Sequence, residues 1–519
     1  MIDYAFDVVA GSSPLHIAYF MGRIDIVRCL LDHNANINMT KEDGTTPLSY
    51  ACEVGHEEVV RILLEKNPNI DPCDNDGFTP LIKSCLNNHA STVKLLIKHK
   101  PYINARTFAG ANALYFSTLN GNLEITKLLL ENNVDCNICI HCKDSLTDIS
   151  TYDARISLQQ RKLDIFYTLM KTASSNVKRY VRSKSLFYET DELDDFHSAG
   201  AAFYYCLRSR SIDYVFNVVV GSSPLHLACF MGWTDIFRCL LGHKANINMK
   251  KEAGTTPLSY ACEVGHSDIV SMLLEKNANI DPCDNVGVTP LIKACLNNNT
   301  RLVKLLVKYN SDINARTFEG YNALFFSALN GNQEITQLLL ENGANCIFCK
   351  ESIQHAFDNN ARKSLVQNQL DIYYNIMTYG LSNVKRNIKR KSFGSVDYDE
   401  IKSKDYVFNV VAGSSPFHIA CFMGWLDVAR VLLKHNANLD MTKKDGTTPL
   451  FYACEVGHED IVRLLLNKGA KTHICRIDGK SPLNIATDNG HTSVVLVLRK
   501  HAIFSFLRTS VLSILMHPL

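Results

Sequence analysis

The chain has 519 residues, with 54 basic and 52 acidic side chains and a formal net charge of +2. That balance argues against a general nucleic-acid or anionic-membrane surface and leaves only local patches. Met1-Ile-Asp-Tyr has neither the basic start nor the apolar core of a secretory signal. No run of roughly 18 uncharged apolar residues occurs, so no membrane span is expected. The 18 cysteines are therefore expected as reduced thiols, in a protein that is cytoplasmic or, alternatively, nuclear.

In chain order, the clearest unit runs KEDGTTPLSYACEVGHEEVVRILLEKNPNIDPC, from Lys41 to Cys73. Thr46-Pro47 predicts a helix start, because Pro fits the first turn and Thr can cap it. Leu48, Ala51 and Cys52 give this short helix a narrow apolar face, and Gly55 ends it. Val59, Val60, Leu63 and Leu64 then form the stripe of a second, antiparallel helix. Asn67 to Gly77 reads as a turn into the next unit. The same phase recurs every 33 residues: at Pro14, Pro47, Pro80 and Ala113, at Pro224, Pro257, Pro290 and Ala323, and at Pro416, Pro449 and Pro482. A fixed period of this length predicts a solenoid, since one unit cannot bury its own apolar face.

A longer period lies above the short one. Residues 11–139 align with 221–349, and residues 413–475 with 221–283, without gaps. Three blocks follow: 1–171 and 213–379, each with four repeats and a degenerate end unit, and 406–519, with three repeats and an apolar tail. The end units, Ile156 to Lys171 and Ala361 to Met377, are expected as capping helices. Linkers 172–212 and 380–405 start basic and turn acidic, lack an apolar period and are expected to be mobile. Each block opens on an apolar word, with Val8-Val9, Val218-Val219 and Val410-Val411 expected to cap the top of each stack. The chain begins inside this word, as an N-terminally truncated sequence would. The tail from Ala502 is expected to form a final capping helix, because Arg508 makes a membrane span costly.

The repeated words D-G-x-T-P-L, G-H, V-V-x-x-L-L and N-x-N resemble the ankyrin repeat over about 360 residues, in eleven copies. The resemblance implies an all-α solenoid of helix-turn-helix units with hairpin-like turns, in three sub-stacks joined by linkers. It also implies that His16, His226 and His418, at the T-P-L-H position, tie neighbouring turns. His56, His266, His458 and His491, after the helix-ending glycine, receive the same structural reading.

In such a stack the short first helices line a concave groove, and two positions before the closing glycine should point into it. These are Phe20 and Met21, Glu53 and Val54, Leu86 and Asn87, and Leu119 and Asn120 in block one. Block two repeats them as Phe230 and Met231, Glu263 and Val264, Leu296 and Asn297, and Leu329 and Asn330. Block three has Phe422, Met423, Glu455 and Val456, then departs at Asp488 and Asn489. Trp233 and Trp425 lie just past the Phe-Met-Gly word. An exposed strip of this composition marks an interaction site. Recent duplication, or occlusion by the chain's own linkers, would also account for the strip.

Other signals are weaker. Cys136, Cys139, His141 and Cys142 resemble a metal cluster, but four ligands within seven residues make a strained site, and block two keeps only Cys346 and Cys349. The basic words suggest nuclear import, or kinase targets at Ser185 and Ser392, against the plainer reading of a solvated linker. No catalytic set, phosphate-cradling loop or metalloprotease motif occurs. The expected function is a non-catalytic protein-protein scaffold or adaptor, without cofactor, metal, small-molecule substrate or nucleic acid, that binds protein segments in its grooves, with multivalent binding at several blocks as one form of it. Self-association stays open. The alternatives are the substrate-reading part of a larger enzyme complex, such as a ubiquitin ligase, and a nuclear regulatory cofactor.

Overall fold

The computed structural model describes residues 11–139, 214–346, 380–390 and 405–515, together with the isolated residues 177, 178, 372 and 376. It divides into two compact units, Met1–Ala278 and Asn279–Leu519. Among the described residues there is no strand, only an isolated bridge between Arg316 and Asn322.

Each repeat is a short inner helix followed by an outer one. The Pro47–Val54 helix starts where Thr46 accepts a bond from the Ser49 amide at 3.2 Å, with Pro47 needing no amide partner. It stops at Gly55, whose φ of 85° lies in the left-handed region. The outer helix, Glu57–Glu65, buries Val59, Val60, Leu63 and Leu64. The turn that follows is held by Asp74, whose carboxylate accepts from the Phe78 amide at 2.8 Å. Neighbouring turns join through the backbone, as Phe108 N–H donates to Asp76 O at 3.0 Å and Ile477 N–H to Asp445 O at 2.7 Å.

In the first unit the inner helices Pro14–Phe20, Pro47–Val54, Pro80–Leu86 and Ala113–Leu119 pack in series. The next contact crosses the block boundary. Ala113–Leu119 packs on Pro224–Met231, and Leu123–Glu131 packs on Thr234–Gly242. Tyr115 donates to Val219 O at 2.9 Å across this joint. Pro224–Met231 then packs on Pro257–Val264.

In the second unit the inner series is Pro290–Leu296, Ala323–Leu329, Pro416–Met423, Pro449–Val456 and Pro482–Asp488. Gln333–Glu341 packs on Leu426–Lys434, so block two meets block three repeat on repeat as well.

The few described linker residues are packed rather than free. Ser382–Arg390 is a helix packed on Pro449–Val456, with Val384, Asn387 and Ile388 buried. The apolar positions lie four apart, and that spacing puts them on one helical face. Val177 of the other basic word is buried among Tyr115, Val219 and Phe230. Ser185 and Ser392 lie outside the described residues, as do Ile156 to Lys171. Of Ala361 to Met377 only Ile372 and Ile376 are described, both buried. The tail is not a separate helix: Thr492–Leu515 runs unbroken from the last outer helix into it. No described helix is long and apolar enough to cross a membrane.

Candidate functional site

Within each unit the inner helices form a row, but exposure changes sharply from block to block. In block one Phe20, Glu53, Val54 and Leu86 are half-buried, and Met21 is 60% exposed. Leu119 is buried. In the later blocks Phe230, Met231, Leu329, Phe422, Met423, Glu455 and Val456 are all buried, while Glu263, Val264 and Leu296 keep partial access. The expected exposed strip is therefore corrected: seven of these sixteen residues belong to the interior of blocks two and three, and Leu119 to that of block one.

The covering material comes from the chain itself. Residues 214–219 are helical, and Val215, Val218 and Val219 pack into one cluster with Leu119, Phe230, Met231 and Tyr260. Residues 405–411 are helical too, with Val407, Val410 and Val411 buried and Tyr406 beside Phe422 at 6.4 Å. The paired valines thus fill space over the inner helices.

In blocks two and three one lysine each fixes this arrangement. Lys251 Nζ donates to Asn217 O, Val218 O and the Tyr260 hydroxyl at 2.7, 2.9 and 2.8 Å. Lys443 Nζ does the same to Asn409 O, Val410 O and Tyr452 at 2.6, 3.1 and 2.9 Å. A cation at the last carbonyls of a short helix is favourable. Burial nevertheless pulls Lys443 down to about 8. The recurrence of Lys41, Lys251 and Lys443, nine residues before Tyr50, Tyr260 and Tyr452, was the available signal for this clamp. Lys41 bonds Tyr50 at 2.8 Å in the same way.

The groove glutamates have separate partners. Glu53 receives Lys83 Nζ at 3.1 Å, and Lys83 also reaches Asp74 at 3.1 Å. Glu263 receives the Tyr214 hydroxyl at 2.7 Å. Burial, and then the charge of Glu455, hold the Tyr406 phenol well above its ordinary value.

The histidines act as joints. Ser13 and His16 bond at 2.8 Å, and His16 Nε2–H donates to Thr45 O at 3.3 Å. His226 and His418 repeat this on Thr255 O and Thr447 O at 3.2 Å. A second set stacks over the helix-ending glycines. His56 lies over Gly22 and donates to Phe20 O at 3.0 Å, and His458 lies over Gly424 and donates to Phe422 O at 3.0 Å.

Trp233 and Trp425 occupy this same joint position rather than the groove surface. Trp233 lies over Gly121, where a Cβ would come within 2.7 Å of its ring. Trp425 lies over Gly331 and donates Nε1–H to Leu329 O at 3.1 Å. Both tryptophans therefore mark seams between blocks, where within-block joints use His or Asn. Trp425→Ala should cost about 2–3 kcal/mol, below the range for a fully buried ring. Trp425→His should recover part of that loss, because imidazole serves the other joints. Urea unfolding of the two variants checks both; a Trp425→Ala variant as stable as the parent would refute the seam role.

The candidate metal residues are drawn into the first seam. Cys136 Sγ–H donates to His243 O at 3.4 Å, and Cys139 lies 3.7 Å from the Met249 sulfur. His141 and Cys142 are outside the described residues. Among the described residues no group of His, Cys, Asp and Glu is arranged to hold a metal.

Comparison with known families matches ankyrin repeats. Ankyrin repeats align with residues 3–76, 67–139, 198–285, 278–348, 384–475 and 444–509, which together take in most of the chain. No curated protein matches it. With the His and Trp joints in register and the helix pairs stacked in series, the chain belongs to the ankyrin-repeat family.

Proposed function

We propose that the protein is a non-catalytic binding scaffold whose partner site is the middle of the block-one groove, around Glu53, Val54 and Leu86. Ankyrin repeats are protein-protein interaction modules, and the family supports the general reading. The observation that carries the finer one is the contrast in exposure: Val54 stays half-open beside Leu86, whereas Val456 at the aligned position of block three is closed and Val264 in block two packs against the covering cluster of Val215, Val218 and Val219. Beside them the Glu53–Lys83–Asp74 ion pairs supply a charged handle. An apolar strip with one polar cluster suits a partner segment with aliphatic anchors and a charged flank. Adaptor use in the cytoplasm or nucleus belongs to the same reading. Equal binding by all three blocks does not, because the block-three positions are filled.

The test is affinity purification with the intact chain and with Val54→Glu plus Leu86→Glu, using Leu496→Glu on the exposed outer surface as control. Loss of a partner in the groove variant alone is expected, with unchanged circular dichroism. A partner list common to all three baits would place binding elsewhere.

A further inference from the structure

The helix Thr492–Leu515 carries two apolar lines on different sides. Where it packs on Glu459–Asn467 and Pro482–Asp488, Val494, Val497 and Leu498 are buried. Leu496 lies on the other side and is 58% exposed. Steps of three and four residues keep a line on one side of a helix. By those steps the buried line runs from Val494 through Leu498 to His501, Ser505 and Arg508, so it turns polar past the last repeat before reaching Leu512. The outer line runs from Leu496 through Lys500 to Ile503, Leu507, Val511 and Ile514, so it turns apolar there. Ile503 and its neighbour Phe504 are exposed by 60% and 69%.

A capping helix needs the reverse pattern, with its apolar line on the stack side. The charges are one-sided as well. From Thr492 to Leu515 the sequence holds no acidic residue, in a chain whose basic and acidic totals nearly cancel. Arg499 and Lys500 are exposed where the helix leaves the stack, and Arg508 follows further along. The extension is thus apolar on its outer line and cationic at its base, with no acid to offset it.

We propose that this extension lies on the surface of a membrane containing anionic lipid, with Ile503 and Phe504 among the acyl chains and Arg499 and Lys500 at the head groups. Interfacial helices have this make-up: aromatic and aliphatic residues along one side, a polar line opposite, and unmatched cations. A protein groove would have to supply an apolar floor and spare acids together, whereas an anionic bilayer offers both by its composition. The helix lies on the bilayer and does not cross it. The part past Lys500 is about 22 Å long against a hydrocarbon core of about 30 Å, and Arg508 falls near its middle. Attachment through one such helix is reversible.

Flotation of the full chain with lipid vesicles tests this. The chain should rise with phosphatidylcholine vesicles containing about a third phosphatidylserine, and about tenfold less of it with phosphatidylcholine alone. Ile503→Glu plus Phe504→Glu should abolish flotation at an unchanged urea midpoint, since both side chains are exposed. Arg499→Glu plus Lys500→Glu should lower flotation on phosphatidylserine at least to the level seen without it. Deuterium uptake of the wild-type chain needs no variant: residues 499–515 should become protected when phosphatidylserine vesicles are added. No flotation on either vesicle, equal flotation on both, indifference to Ile503→Glu plus Phe504→Glu, or protection that misses residues 499–515 would each overturn the proposal. So would a dimer in sedimentation that the same double variant dissolves, which would assign the face to a second copy. None of these readouts involves Val54 or Leu86, so the groove reading stands or falls separately.

Discussion

Phe422→Ser and Met423→Ser should each destabilise the chain by about 3–5 kcal/mol, as loss of a large buried side chain does, with the hydroxyl adding a desolvation cost. Both side chains are fully enclosed, with Phe422 set edge-on to Tyr452 at 5.5 Å. Block one supplies the control at the same position in the repeat. Met21→Ser removes a side chain that is 60% exposed, and its cost should stay within about 1 kcal/mol. Urea unfolding followed by circular dichroism measures all three. If Met423→Ser and Met21→Ser cost the same, burial of the block-three residue is refuted. The contrast also separates two meanings of one word in the sequence, since the methionine of the Phe-Met-Gly word faces solvent in block one and is core in block three.

The sequence could not make that separation, and the reason is physical. Within a repeat, the period, the Thr-Pro start, the glycine stop and the aliphatic stripe all act locally, so Pro47–Val54 and Glu57–Glu65 are legible from Lys41 to Cys73 alone. Whether Phe230 is exposed depends on what lies above it, and that is set by residues 214–219 and by the fourth repeat of the preceding block. Long-range covering of this kind leaves a fainter mark. It was present in the valine pairs, in Lys251 and Lys443, and in the tryptophans that replace His or Asn at the seams. The basic words misled for a similar reason. In SNVKRNIKR the charges dominate the average, but Val384 and Ile388 occupy one helical face and determine where it packs. The groove centre at Val54 and Leu86 was legible because, among the described residues, they stay half-buried rather than enclosed.

Stability should fall steadily as pH drops from about 6.5 to about 4, the interval set by three buried histidines. Burial, with Lys251 as a further contributor, pushes His226 down to about 3. Burial pushes His418 and His458 down to about 4. In the unfolded chain each titrates near its ordinary value of about 6.5. Above that pH neither state binds these protons, and the full stability is present. Between the two values the unfolded chain takes up protons that the folded chain refuses, so each descending pH unit removes about 1.4 kcal/mol per histidine. For His418 and His458 the loss approaches about 3 kcal/mol each by pH 4, a large share of the roughly 5–15 kcal/mol that holds a domain folded. The refusal has a structural cause. His418 Nε2–H donates to Thr447 O while Nδ1 accepts from the Ser415 amide at 3.3 Å, and a second ring proton would remove that acceptor. Urea midpoints measured across pH 7.5 to 4.5 should therefore hold level to about pH 6.5 and then decline. His418→Gln should start lower but decline less steeply, because one proton no longer distinguishes the two states. A midpoint that stays flat down to pH 5 would mean that these rings titrate as exposed groups do, and the joints assigned to them would have to open in solution.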